Sequence, residues 1–419
     1  MFRITDSALS SDSISEGGRH IGTVYEPDLK LSSPKHHNTM GIILSLEKDI
    51  DGKVLQDVVE RLRVRFPYFY VKAAVIDGRL AAVPNPLPMT VRNTWDPIDL
   101  NSEASNYHLA AWKYEGKRLC FEIPHSMTDS AGVMPYLKST MYLYLSRTIG
   151  VSFDPSGFRL PGDVIPESET GDPFMHVDFD GVTSPLYRKD PIRRFFRLVN
   201  RTTPVDKKVF FLSLSEAQVM QFCRNNGGSP NVFFSVMMAK AARRHDPESR
   251  ETITVSVAIN QKAMLGNTDN YHLSIGAGIL DFPKETDMDD IRKVLTMAHG
   301  QLILQAQPEN SIWDIKQQEL SSAPPSDKPQ ASICVSYPSD RGFGPLDPYI
   351  REFFICTSLS RITDVLCEVT CLNHTFFVAF MQPFPSDEYL GCFLQELDLA
   401  GIGCNVLGSE PLRMCGIER

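Results

Sequence analysis

Residues 117–145, KRLCFEIPHSMTDSAGVMPYLKSTMYLYL, pass from a period of two to a helical period within a few positions, so the fold must run one strand directly into a helix. Leu119, Phe121 and Ile123 fall on one face of the strand, and Pro124, lacking a backbone donor, closes it. After Gly132, the residues Met134, Leu137, Met141 and Tyr144 or Leu145 share a helix face. Pro135 is tolerable in that helix only within its first turn, where its missing N–H has no partner to lose. His125 thus leaves a strand end with Asp129 four residues on, at the helix entry.

The same alternation of periods runs along the chain. MGIILSLE (residues 40–47) reads as the first core strand, and Leu55, Val58, Val59 and Leu62 mark a helix that Arg65-Phe66-Pro67 stops. FYVKAAVI, TVRNTW and YHLAAWKY carry further strand signals before residue 117. Periodicity fades into Pro, Gly, Asp and basic residues over 150–207, which reads as a crossover between two halves. KVFFLSL opens the second half, followed by a helix capped by Ser215 with Gln218 and another begun by Ser229 and Pro230. Ile253, Val255, Val257 and Ile259 alternate through a strand ending at Asn260, and a long helix is expected over 287–307. SICVSYP, EFFICTS, DVLCEVTCL and TFFVAFMQ read as strands, with a last helix capped at Ser386. The expected organisation is a peripheral arm (1–38), a first lobe with the crossover (39–200) and a second lobe (201–419). Each lobe mixes strands with covering helices, an α/β class.

A formal charge of −9, from 42 basic and 51 acidic residues, argues against a protein whose work is neutralising nucleic-acid phosphates. No apolar run reaches transmembrane length and the N-terminus has no secretory pattern, so a cytoplasmic protein is expected. Nine cysteines, mostly within apolar runs, read as reduced core residues. Cys367 and Cys371, on one face of a strand, lack the second cluster a zinc site needs. His36 and His37 lack a following Asp at the spacing of His125 and Asp129 and read as surface residues.

A histidine at a strand end projects readily into a cleft, and its ordinary pKa near ~6.5 suits it to accept a proton at neutral pH. The bare His-Asp spacing is a weak signal, since a carboxylate at a turn is commonly held by local hydrogen bonds. Its context is more specific. HSMTDSAG, with His125, Asp129 and Gly132, resembles the motif of the CoA-dependent acyltransferase superfamily, which includes chloramphenicol acetyltransferase, alcohol acetyltransferases and the condensation domains of peptide synthetases. That motif reads HHxxxDG. Here Pro124 stands at the first His and Ser130 at the Gly, and the segment is similar to the HxxTDGxG form of bacterial alcohol-acetyltransferase-like proteins. The resemblance extends over residues 40–400. Asn260 ends a strand where an Asn-Leu-Arg tripeptide is expected, with Gln261 and Lys262 in the last two places, which leaves Asp129 without the arginine partner the resemblance implies. Ser336 and Tyr337 lie where a Ser-Asn-Leu-Gly segment is expected.

The resemblance implies a two-lobed sandwich of mixed sheets with an active-site tunnel between the lobes. In it His125 is the general base, Asp129 and Gly132 are structural, and Ser336, Tyr337 and Asn260 contact substrate, Ser336 as an oxyanion donor. It implies acyl-CoA as co-substrate, a hydroxyl or amine of a small molecule as acceptor, and no metal. Two other readings stay open: a donor held on a carrier protein, as for condensation domains, and a binding protein that keeps the fold without the reaction. YRKDPIRRFFRLVNR (187–201), basic in an acidic chain, would attract CoA phosphates, an acidic carrier protein or an anionic lipid surface, or is simply a solvated crossover anchored by Phe195 and Phe196.

Overall fold

The computed structural model describes residues 38–417 apart from 77–78, 175, 189–193, 199–206, 321–329, 339–341 and 360–362. The arm through residue 37, with His36 and His37, lies outside the described residues. The first half contributes β1 (Thr39–Leu46), α1 (Gly52–Leu62), β2 (Val71–Ile76), β3 (Arg79–Pro84), β4 (Val91–Asn93), β5 (Ala111–Glu115), β6 (Arg118–Pro124) and α2 (Ser130–Ile149). A single helical turn, Glu167–Thr170, lies in the crossover. The second half contributes β7 (Lys208–Ser215), α3 (Glu216–Asn226), α4 (Pro230–His245), β8 (Ile253–Asn260), β9 (Ile275–Phe282), α5 (Ile291–Gln305) and α6 (Pro308–Leu320). It closes with β10 (Ile333–Ser336), β11 (Ile350–Thr357), β12 (Val365–Leu372), β13 (Thr375–Gln382), α7 (Glu388–Leu399) and β14 (Cys404–Pro411).

Local signals explain the helices. Asp51 caps α1 by accepting the Lys53 and Val54 amides, and Leu55, Val58, Val59 and Leu62 are buried beneath it. Gly150, at φ 68°, supplies the left-handed residue that ends α2.

The strands assemble into a five-stranded sheet, β11-β1-β6-β5-β4, a seven-stranded sheet, β14-β7-β13-β12-β10-β8-β9, and a separate β2-β3 pair. Both large sheets are mixed, with β4 parallel to β5 and β10 parallel to β8 and β12. Strand β11, from the second half of the sequence, completes the first sheet beside β1.

Helices α1 and α2 cover one face of the first sheet, and α3, α4, α5 and α7 cover one face of the second. The remaining faces meet. Along β13, Phe376, Val378 and Phe380 enter the second core while Phe377, Ala379 and Met381 enter the first, which is why this strand reads as a continuous apolar run. At the seam the Phe354 ring lies 4.7 Å from Phe211 and 5.3 Å from Phe377. No helix among the described residues is long and apolar enough to cross a membrane.

The crossover is pinned by a buried ion cluster. Arg65, just past α1, donates to both carboxylate oxygens of Glu169 at 2.7 and 2.8 Å, and Arg159 adds a contact at 2.8 Å. Asn270 of the second lobe donates to the carbonyls of Ser168 (3.1 Å) and Gly171 (2.9 Å). Burial alone would raise the Glu169 carboxyl, but the Arg65 and Tyr68 hydrogen bonds and both guanidinium charges outweigh it and hold it below its ordinary value. Glu169 therefore stabilises the fold fully above the ordinary carboxyl range, and that contribution disappears as pH falls through its depressed folded value. The urea midpoint of Glu169→Gln is expected below that of the native protein at pH 7, with the gap narrowing on titration toward pH 3.

Of the basic stretch, Arg194 pairs with Glu251 at 3.0 Å, Arg197 grips Asp364, and Phe196 is buried in the second core. Lys189, Arg193 and Arg201 lie outside the described residues.

Candidate active site

Strand β6 ends at Pro124, paired with Thr39 of β1, and the chain turns at once, the Met127 amide donating to the Pro124 carbonyl at 3.0 Å. His125 sits on this turn, half-buried, its own amide donating to Asn38 O at 2.9 Å. Its ring Nδ1 lies 3.1 Å from the Thr128 carbonyl oxygen. A carbonyl only accepts, so in the neutral ring Nδ1 carries the proton and Nε2 keeps the lone pair.

Asp129 is the N-cap of α2, its Oδ1 accepting the Gly132 amide at 2.7 Å. It is also tied to the second lobe: Oδ2 accepts the Ser274 amide at 2.9 Å, and Oδ1 lies 3.0 Å from Lys262 Nζ. Lys262 is therefore the cationic partner that the missing arginine left unassigned. Burial holds its pKa below the ordinary lysine value, against the Asp129 charge that pulls it up. Its remaining reach goes to Asn270 O at 2.6 Å. The signal was a cation two residues past Asn260, in the place of the expected arginine.

Gly132 lies where the first turn of α2 meets the loop before β9. A Cβ there would fall 2.2 Å from the Tyr271 carbonyl oxygen, which already accepts from Thr128 Oγ1 at 2.7 Å. Because the obstacle is backbone, relief requires α2 to move. Gly132→Ala is expected to cost about 3 kcal/mol, the upper part of the range for overpacking, read as a lowered urea midpoint.

The other anticipated residues divide. Ser336 ends β10 directly beside Glu368 of β12 and hydrogen-bonds to its carboxyl. Tyr337 packs into the second core, its ring edge-on to Phe376 at 5.5 Å. Asn260 is exposed at the end of β8, and its Oδ1 accepts the Lys262 amide at 3.0 Å, shaping the turn that delivers the lysine. Met127 is buried in the first core.

Glu368 was not singled out from the sequence. It is 6% exposed, on the face of β12 that also carries Leu366 and Thr370 toward the first sheet. Thr357, at the end of β11, donates to its Oε1 at 3.4 Å. Burial raises its pKa to about 7, against the Ser336 hydrogen bond, the charge of His125 and the Thr357 hydrogen bond, all of which lower it. The available signal was a lone carboxylate within the apolar strand DVLCEVTCL.

A cavity of about 270 Å³ opens between the sheets, lined among others by Gly41, Glu122, Lys113, Val209 and Met414. His125 is not in its lining, and Glu122 there is engaged by Lys113 at 2.7 Å and by Cys415. Among the described residues no group of three His, Cys, Asp or Glu is placed to hold a metal ion. Cys367 and Cys371 are buried in the second core.

No family model matches the chain, and no curated protein matches it. Solved structures do. Polyketide synthase associated protein 5 from Mycobacterium tuberculosis is 15% identical, with a TM-score of 0.55 over 86% of this chain and 93% of that one. The TRI101 protein of F. sporotrichioides, solved with coenzyme A and T-2, is 11% identical, with a TM-score of 0.53 over 92% of this chain and 98% of that one. The first condensation domain of the CDA synthetase is 13% identical, with a TM-score of 0.54 over 90% of this chain and 94% of that one. The chain has the two-lobed fold of the CoA-dependent acyltransferases and condensation domains, as the sequence resemblance implied.

Proposed function

We propose that this protein is an acyltransferase that moves an acyl group from acyl-CoA to a hydroxyl or amine of a small molecule, with His125 as general base. The observation that carries the reading is the orientation of the His125 ring, whose Nδ1 is committed to the Thr128 carbonyl, so that Nε2 alone is the proton acceptor. Nε2 takes the proton of the acceptor O–H or N–H as the acceptor's lone pair attacks the thioester carbonyl carbon. The tetrahedral intermediate then expels sulfur, and the proton on Nε2 passes to the departing thiolate. Asp129 acts at a distance, holding the first turn of α2 and thus the His125 turn against the second lobe. Ser336 is the proposed hydroxyl donor to the oxyanion, to which it would turn the single proton it gives to Glu368 at the seam.

The test is thiol release from acetyl-CoA and longer acyl-CoAs against a panel of alcohols and amines. Acceptor-dependent release is the expected result. Release only from a carrier-protein thioester would transfer the reading to the condensation-type reaction, and no release from either donor would end it in favour of a binding protein.

A further inference from the structure

Two titratable groups from different lobes converge on the seam between the sheets. Met40 of β1 pairs with Ile123 on one side and Thr357 on the other, so the end of β6, from which His125 projects, and the end of β11 lie two strands apart in one sheet. Thr357 reaches across to Glu368 of the second sheet, and Ser336 holds the same carboxyl from β10. The carboxyl is thereby fixed within the field of the His125 ring.

Among the described residues, three thiols stand in the field of Glu368: Cys334 on β10, Cys356 on β11 and Cys367 beside it on β12. Burial, with the Glu368 charge adding to it, pushes all three up, Cys334 to about 12, so they stay neutral wherever an enzyme of this kind works. Strand β13 places Ala379 opposite Glu368 and brings no charge. The Glu368 carboxyl thus stands among neutral thiols, and the Glu410, Arg118 and Lys113 charges reach the cluster from the side of Cys356.

We propose that Glu368 is a positioning residue that acts through His125, its carboxylate supplying the counter-charge that stabilises the imidazolium formed when Nε2 takes the acceptor's proton. This rests on the reaction assigned above. No proton or bond changes at Glu368 during turnover: the acceptor's proton goes to Nε2 and then to sulfur, while the carboxylate stays ionised. The arrangement also sets a pH requirement, because the carboxyl must be ionised for the field to act, and burial delays that ionisation to about pH 7. Activity is then expected to rise as the Glu368 carboxyl ionises, around pH 7.

Two measurements test the pairing. In the first, the Glu368 carboxyl is titrated by NMR in protein labelled at the glutamate carboxyl carbon, its signal assigned by its absence in Glu368→Gln, with no substrate present. The midpoint is expected to move up by about one pH unit in His125→Asn, which removes the cationic partner. An unmoved midpoint overturns the pairing, whatever the protein catalyses. In the second, Glu368→Gln, which keeps shape and hydrogen-bonding capacity at Ser336 and Thr357, is expected to lower kcat about tenfold with KM within twofold, and to remove the rise of kcat around pH 7. An unchanged kcat with the same rise around pH 7 overturns the catalytic part. If no acyl donor reacts at all, a shifted midpoint still establishes the pair, and only the transferase reading falls.

Discussion

His125→Asn is expected to lower acceptor-dependent thiol release by about 10²- to 10⁴-fold, the usual worth of a positioned general base, without moving the unfolding midpoint. The asparagine amide can donate to the Thr128 carbonyl in place of Nδ1, so the hydrogen bond that fixes the turn is preserved while the Nε2 lone pair is lost. The backbone contact from residue 125 to Asn38 O is untouched. A half-buried side chain with one neutral hydrogen bond contributes about 1 kcal/mol, so even His125→Ala should fold normally. The informative comparison is the asparagine variant against Gly132→Ala: the first removes chemistry and keeps the fold, and the second strains the fold while retaining every polar group. Asparagine activity within threefold of native would mean that the proton is taken by another group or by solvent, and His125 would lose its assignment.

The strands and helices with strong one-sided patterns were legible because each buries a full face. Residues 117–145 and the alternating Ile253–Asn260 strand announce themselves this way. Strands β9 and β14 did not, for a shared physical reason: they are the two edges of the second sheet, and each leaves much of its length in solvent. Gly276 and Gly278 further weaken the pattern of β9 by removing side chains from one face. The exchange of β11 into the first sheet was equally hidden, since an apolar strand's sequence does not say which sheet edge it completes.

At the site, the local turn was readable and its long-range partners were not. His125, Asp129 and Gly132 are neighbours in sequence, and their spacing has geometric meaning by itself. Lys262 and Glu368 reach the same turn only through the folding of the second lobe. Asn260 illustrates the limit: its side-chain oxygen accepts the amide of Lys262, the cation that stands in the place of the expected arginine.

The Asp129–Lys262 pair carries the second large effect. Both side chains are buried, and each depends on the other for neutralisation. Lys262→Met leaves the Asp129 carboxylate with two backbone amides and no cation; Asp129→Ala leaves the ammonium with the Asn270 carbonyl alone and uncaps α2. Either single change is expected to cost about 3–5 kcal/mol, because breaking a buried pair strands an uncompensated charge. The combination Asp129→Asn with Lys262→Met removes both charges while the amide oxygen still accepts at the cap and only the Ser274 amide loses its acceptor, so its cost should fall below the sum of the singles. Urea unfolding of the native protein, the two single variants Asp129→Asn and Lys262→Met, and their combination gives the coupling directly, and additive costs would show that the pair is not energetically joined. Because Asp129 binds Lys262 and Ser274 of one lobe to the turn that carries His125 in the other, the double variant should fold yet transfer acyl groups poorly: neutral partners fill the space, but the turn loses its charged tie to the second lobe.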